Sequence, residues 1–260
     1  MIRNLLRRLK TDELKGSRYV KYAIGEITLV VIGILIALQI NNWNEYRKDR
    51  IKEQVILKQL KEEYENNLVQ LESKINIRNV MKSSGQRLLQ YMNAPEKASS
   101  DSILFHFSQT GYRPTFDPIK NDIVNTDKLS LIQNDSLRIL LSQWETSFYQ
   151  LNEEEWYWRD FVVDTRLSFN VDQHISRKVS YYSQQNFRKY YLSNPSSIEV
   201  HSIFDDTNRD IDFRHILNTP ELEAIAVTAV SSATDANLIS ASLKSTIETI
   251  LRLIKQELRS

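Results

Sequence analysis

The sequence predicts an all-α protein: an N-terminal transmembrane helix continuing into a long stalk helix, packed in an antiparallel helical bundle with short extra helices. Three observations predict it. Residues 23–40, AIGEITLVVIGILIALQI, form an apolar run of bilayer-spanning length. Apolar residues then recur at spacings of three and four through long proline-free stretches. Helix start and stop signals bound those stretches, and no run alternates convincingly as a half-buried strand would.

At ~1.5 Å per residue the apolar run covers about 27 Å, close to the minimum for a hydrocarbon core. Tyr19 and Tyr22 lie before it, Trp43 and Tyr46 after it. Such rings favour the headgroup level, apolar body inward and polar tip in water. A buried core helix would not need those flanks. A cleaved signal peptide would be shorter and end in a small-x-small site, which Ala37-Leu38-Gln39 does not supply. The expected organisation is a basic cytoplasmic tail over 1–22, a transmembrane helix over 23–41 and an extracytoplasmic domain over 42–260.

Charge sets the expected orientation. The tail carries Arg3, Arg7, Arg8, Lys10, Lys15, Arg18 and Lys21 against Asp12 and Glu13, and cations resist translocation. The N-terminus is therefore expected in the cytoplasm and the main domain in the periplasm; the rest of the chain is mildly acidic, which supports this more weakly and argues against nucleic acid as a partner. Cysteine is absent, so disulfides, thiolate nucleophiles and thiolate metal sites are excluded.

Within the span, Glu26, Gly33 and Ala37 share one helical face. Gly33-x-x-x-Ala37 permits close approach of another helix, with Glu26 hydrogen-bonded across the contact to a second copy or an envelope partner. The plainer alternative has Glu26 one turn inside the interface, snorkelling to water near Lys21. Both readings stand on the sequence.

The stalk helix is expected from about 42 to 93, with the stripe Leu57, Leu60, Tyr64, Leu68, Leu71 and Ile75. Asn93-Ala94-Pro95 ends it. Ser100-Asp101-Ser102 predicts an N-cap for a short helix over Ile103–Gln109, with Gly111 as C-cap. Asp117-Pro118 predicts a further short helix near Ile119–Thr126. The next long helix starts at Asn134-Asp135 and reaches about Phe169, its stripe being Leu137, Leu141, Trp144, Phe148, Leu151, Glu155, Trp158 and Val162. Glu155 falls on that apolar stripe and calls for a cation, with Arg159 and Arg78 as candidates. Residues 170–219 are mixed, with Tyr181-Tyr182, Tyr190-Tyr191 and a loop at Asn194-Pro195-Ser196-Ser197. Thr219-Pro220-Glu221 then opens a final helix to about Leu258, facing inward through Leu222, Ile225, Ala226, Ala229, Ala233, Leu243, Ile247, Ile250 and Ile254.

Catalytic and metal motifs are weak throughout. His106, His174, His201 and His215 form no zinc motif, and Asp212-x-x-His215 matches half of one di-iron motif with Asp in place of Glu. Asp206 to Asp212 begins like a calcium loop, but Ile211 replaces the turn glycine and Leu217 the bidentate glutamate. Five glycines are too scattered for a phosphate loop. The expectation is no enzyme, no cofactor and no metal.

The stretch YAIGEITLVVIGILIALQINNWNE (Tyr22–Glu45) resembles the opening of an uncharacterised family of single-pass membrane proteins abundant in Bacteroidota. Similarity extends to LSLIQNDSLRILLSQW (Leu129–Trp144) and LNTPELEAI (Leu217–Ile225), although Asp127-Lys128 stands where the family usually has a glycine. The resemblance implies a short cytoplasmic tail, a helical extracytoplasmic domain and no catalytic residues. Two functions follow as expectations: a membrane-anchored, non-enzymatic interaction or scaffold protein of the bacterial envelope, or a ligand-sensing periplasmic bundle that signals through a partner. Lipid bilayer, and a second copy or envelope protein met through the transmembrane helix, are the expected contacts.

Overall fold

The computed structural model describes residues 2–119, 127–187, 204 and 211–258, with side chains from Tyr22 onward except at 127, 186 and 187. Among the described residues every regular element is helical. The chain divides into two compact units, Met1–Val55 and Ile56–Ser260. Helix α1, Ile2–Asn93, contributes to both.

In the first unit, α1 exposes the aliphatic side chains of Ile24, Ile27, Leu29, Val30, Val31, Ile32, Ile34, Leu35, Ile36, Leu38 and Ile40. This helix is long and apolar enough to span a membrane, and none of its most apolar window is buried inside the protein. Beyond it the surface becomes charged, with Lys48 on Glu45 and Lys52 on Asp49 at i, i+3.

In the second unit three long helices make the core. They are α1 from Ile56 onward, α3 (Asp135–Phe161) and α7 (Pro220–Glu257). Helices α1 and α3 run in the same direction: Tyr64 meets Trp144 edge-on, and further along Arg78 pairs with Glu155. Helix α7 runs antiparallel to both. Glu72 pairs with Lys244 and Asn79 with Asn237 on the α1 side, while Asn134 bonds Glu257 at the start of α3. The expected stripes do fill the core. Leu57, Leu60, Tyr64, Leu71, Leu137, Leu141, Trp144, Leu151, Ile247, Ile250 and Ile254 are all buried in one cluster.

The boundaries follow local chemistry. Pro95 starts a short 3-10 turn, Pro95–Lys97, where α1 stops. Helix α2 (Ser100–Gln109) is capped by Ser99, one residue earlier than expected, whose hydroxyl accepts from the Ser102 N–H. Asn134 caps α3 by accepting from the Leu137 N–H. After Phe161 the helix widens into a π turn, Val162–Arg166, then resumes as α4 (Leu167–Asp172). Helix α4 ends on His174 in the left-handed region at φ 57°, with the Ile175 N–H reaching back to the Asn170 carbonyl, and α5 follows (Ser176–Phe187). Short α6 (Phe213–Leu217) is capped by the Asp212 carboxylate. Thr219 precedes Pro220 as expected, but its hydroxyl donates backward to the Ile216 carbonyl and leaves the α7 amides alone.

One expectation changes. Gly111 is not a left-handed C-cap, since no glycine among the described residues has positive φ and Thr110 ends α2 in the right-handed region. Of the helix expected near Ile119–Thr126 after Asp117-Pro118, only Ile119 is described; residues 112–119 are non-helical, with Pro114 and Pro118 biasing Arg113 and Asp117 toward extended dihedrals. The remainder of that expected helix, residues 120–126, lies outside the described residues, as do Tyr190-Tyr191, Asn194-Pro195-Ser196-Ser197, His201 and the calcium-like Asp206–Asp210.

At Gly85 α1 passes close against α7. A Cβ there would stand 2.8 Å from the Ala226 carbonyl oxygen and 2.8 Å from Val230 Cγ2. Backbone cannot yield as a long side chain can. Gly85→Val is therefore expected to cost about 2 kcal/mol or more from overpacking, while Gly85→Ala costs less because alanine recovers about 1 kcal/mol of helix propensity. Urea midpoints followed by tryptophan fluorescence check the order.

Candidate functional site

The polar heart of the second unit is an ion pair between Arg78 on α1 and Glu155 on α3, both almost fully buried. Arg78 also donates to Ser240 Oγ on α7 at 2.9 Å. Glu155 accepts the Phe116 N–H with both carboxylate oxygens, at 2.9 and 3.1 Å. Burial pushes the Glu155 carboxyl above the usual range, opposed by Arg78, by the Phe116 N–H and by Lys74. Burial also lowers Arg78 and the half-buried Lys74. Of the two cations expected as partners for Glu155, Arg159 instead stacks over Trp156, 3.7 Å from the ring centroid.

Phe116 belongs to a non-helical limb, residues 112–119, which returns the chain from α2 toward α3. Its side chains alternate strictly: Tyr112, Pro114, Phe116 and Pro118 are buried, while Arg113, Thr115, Asp117 and Ile119 are exposed. The hydrogen bonds that Asn67 and Gln70 on α1 and Glu155 and Trp158 on α3 make with it go to its main chain. Asn67 accepts the Ile119 N–H at 2.7 Å and donates to its carbonyl at 3.1 Å. Gln70 does the same at Asp117, at 2.9 and 2.8 Å. Trp158 Nε1 donates to the Tyr112 carbonyl at 2.8 Å. Two side-chain amides, one turn apart on α1, thus act as the edge of a strand toward alternate residues of the limb. Beside Arg78 and Glu155 is a small recess lined by Met81, Pro114, Trp158 and Ser232, with room for about one water.

A second buried cation sits at the π turn. Arg166 lies over the Phe107 ring, 4.4 Å from its centroid, and donates to the Phe107 carbonyl in the last turn of α2. That helix end, rich in carbonyl oxygens, is its counter-charge. Burial, with Arg113 nearby, lowers Arg166 to about 10. A Cβ on Gly111 would fall 2.5 Å from the guanidinium carbon, so any larger residue there must displace the Arg166 head group. His106 on α2 contacts Ser84 Oγ at 3.3 Å, and burial followed by Arg87 lowers its pKa. The folded state therefore binds this proton less readily than the unfolded chain. Stability is expected to fall as pH drops from the ordinary imidazole range toward the lowered value, and His106→Asn to flatten that part of a Tm-against-pH curve.

Helix α1 carries the residues expected to act in the membrane. Glu26, Gly33 and Ala37 are exposed on one face, and a Cβ at Gly33 would meet nothing within 4 Å. Tyr22, Trp43 and Tyr46 are exposed on either side of the apolar window; the side chain of Tyr19 lies outside the described set. Among the described residues no cluster of three His, Asp or Glu could hold a metal. Asp212 caps α6 through the Arg214 and His215 amides.

Sequence reasoning missed Asn67, Gln70 and Arg166. A signal existed for two of them. Asn67 stands on the stripe Leu60, Tyr64, Asn67, Leu71, where a polar residue must find a partner. Arg166 continues the run Trp158, Val162 by four. Gln70 had no such mark.

The model of a family of unknown function, DUF6090, matches residues 26–163, just over half of the chain, and so takes in most of the apolar window, the stalk, the limb and α3. No curated protein and no solved structure matches the chain.

Proposed function

Because the chain belongs to the DUF6090 family, whose function is unknown, we propose its role from its own two units: a single-pass, membrane-anchored, non-enzymatic interaction or scaffold protein of the bacterial envelope. The observation that carries this is the exposed aliphatic surface from Ile24 to Ile40. An apolar surface of that extent is a liability in water and an ordinary feature in hydrocarbon. The basic residues before it favour a cytoplasmic N-terminus in the inner membrane and a periplasmic helical unit. Glu26, Gly33 and Ala37 offer one face to a second copy or to the transmembrane helix of an envelope partner, where close packing at Gly33 would let Glu26 share a proton or hydrogen bond.

Carbonate extraction of native membranes, together with reporters fused at the C-terminus, tests the anchor and its direction. The expected result is a chain retained in the pellet, with alkaline phosphatase active at its C-terminus. Release into the supernatant, or a C-terminal reporter active only in the cytosol, would overturn the proposal.

A further inference from the structure

We infer that the buried guanidinium of Arg166, with Arg113 beside it, is a binding site for a small oxyanion, a carboxylate or a phosphate, taken up from solution. The inference goes beyond the interaction reading above and does not depend on the membrane anchor. It rests on a charge that the chain leaves incompletely answered. Arg166 is buried, yet the hydrogen bond it makes is from Nη2 to the Phe107 carbonyl at 2.8 Å, and its Nε has no partner. Among the described residues no carboxylate pairs with it, and the charged group that acts on it is a second cation, Arg113. The carbonyls at the end of α2 answer only part of this charge, since a helix terminus carries about half an elementary charge. A buried cation left in that state is costly, and such groups are held by pairing or by a ligand.

The surroundings of Arg166 fit a ligand better than a closed core. The π turn Val162–Arg166 ends on this residue, and such turns inside α-helices are rare and frequently stand at functional sites. Asn170, one turn on along the same helix face, is also buried, and its Oδ1 has no partner. That oxygen can accept a hydroxyl proton of the same ligand. Gly111, against the guanidinium, is only half-buried, and Arg113 is exposed, which puts solvent one glycine away from the buried charge. The N–H fork of an arginine matches two oxygens of a carboxylate or a phosphate, and a second arginine at the rim adds attraction. A water bridging Nε to Oδ1 would satisfy both atoms but bring no charge. An oxyanion with a hydroxyl satisfies the donor, the acceptor and the charge together.

The test uses the full chain in detergent, with nitrogen-labelled arginine side chains, titrated with sodium glycolate or sodium phosphate against sodium chloride at equal ionic strength. The Arg166 Nε–H signal, identified by its loss in Arg166→Met, is expected to shift saturably with at least one of the two anions and to exchange more slowly with water. Chloride leaves it in place. A response to glycolate alone assigns a carboxylate, and a response to phosphate alone a phosphate. Arg113→Gln weakens the binding about two- to fivefold, the worth of one exposed ion pair. Gly111→Ala puts a Cβ 2.5 Å from the guanidinium carbon, displaces the head group and removes saturation, and it serves where Arg166→Met does not fold. The thermal midpoint gives a second readout: the anion raises it above the chloride value in the wild type and not in Arg166→Met. An Nε–H signal unmoved by both anions overturns the inference and leaves water to complete the site. So does a rise in midpoint that Arg166→Met keeps in full, which is the general effect of phosphate on folded chains. Either result leaves the carbonate extraction and reporter experiments standing on their own.

Discussion

Glu155→Leu lowers the stability of the helical unit by about 3–5 kcal/mol, seen as a fall in urea midpoint with the slope unchanged. The size comes from what is left behind. Arg78 becomes a buried cation whose remaining bond is to Ser240 Oγ, and the Phe116 N–H loses its acceptor. Glu155→Gln separates the two losses, because a neutral amide oxygen still accepts from Phe116 while the charge of Arg78 goes unanswered. It should therefore fall short of the leucine variant by the worth of one buried unsatisfied donor, about 1–3 kcal/mol. The double change Arg78→Met, Glu155→Leu is expected to recover most of the loss, since an apolar pair of similar volume is often as stable as a buried ion pair. Trp144 and Trp158 lie in the same unit, so their fluorescence follows this transition. Equal losses in the single and double variants would mean that the ion pair is not what fastens the limb to α1 and α3.

The long helices were legible because each buries one stripe over many turns. A period of three and four sustained from Leu57 to Ile75, or from Leu137 to Val162, has no other cheap solution. Glu155 was legible in part: a carboxylate on such a stripe demands a cation, and Arg78 was one of two in reach. The limb was not. Its alternation of Tyr112, Pro114, Phe116 and Pro118 is a strand-like period, but it is short and its hydrogen-bond partners stand some fifty residues earlier at Asn67 and Gln70. The Asp117-Pro118 pair reads locally as a helix opening, and nothing local announces the bonds that Gln70 makes to the Asp117 backbone. The π turn at Val162–Arg166 and the break at His174 carry no glycine or proline to announce them. Gly111 illustrates the same limit from the other side. The sequence offers a helix cap, while what a larger residue would meet is a guanidinium arriving from more than fifty residues away.

Replacing both Ile32 and Leu35 with arginine moves the full-length chain from the carbonate pellet to the supernatant or to an aggregate. The two positions stand near the middle of the exposed aliphatic window, about one turn apart. Each arginine at a span centre costs roughly 2.5–3.5 kcal/mol on insertion scales, so the pair removes about 5–7 kcal/mol. That loss is enough to turn a clear preference for the bilayer into exclusion. Both side chains are exposed, and the fluorescence-detected unfolding of the helical unit should stay as in the wild type. Gly33→Leu combined with Ala37→Leu is the contrasting pair. It adds apolar volume, so anchoring should persist; because a Cβ at Gly33 meets nothing within 4 Å, the chain itself accepts it. A change in crosslinked species with this variant, at unchanged membrane retention, would report a neighbouring helix packed on the Glu26 face. Unchanged crosslinking would leave Glu26 turned to the interface and the span as an anchor alone.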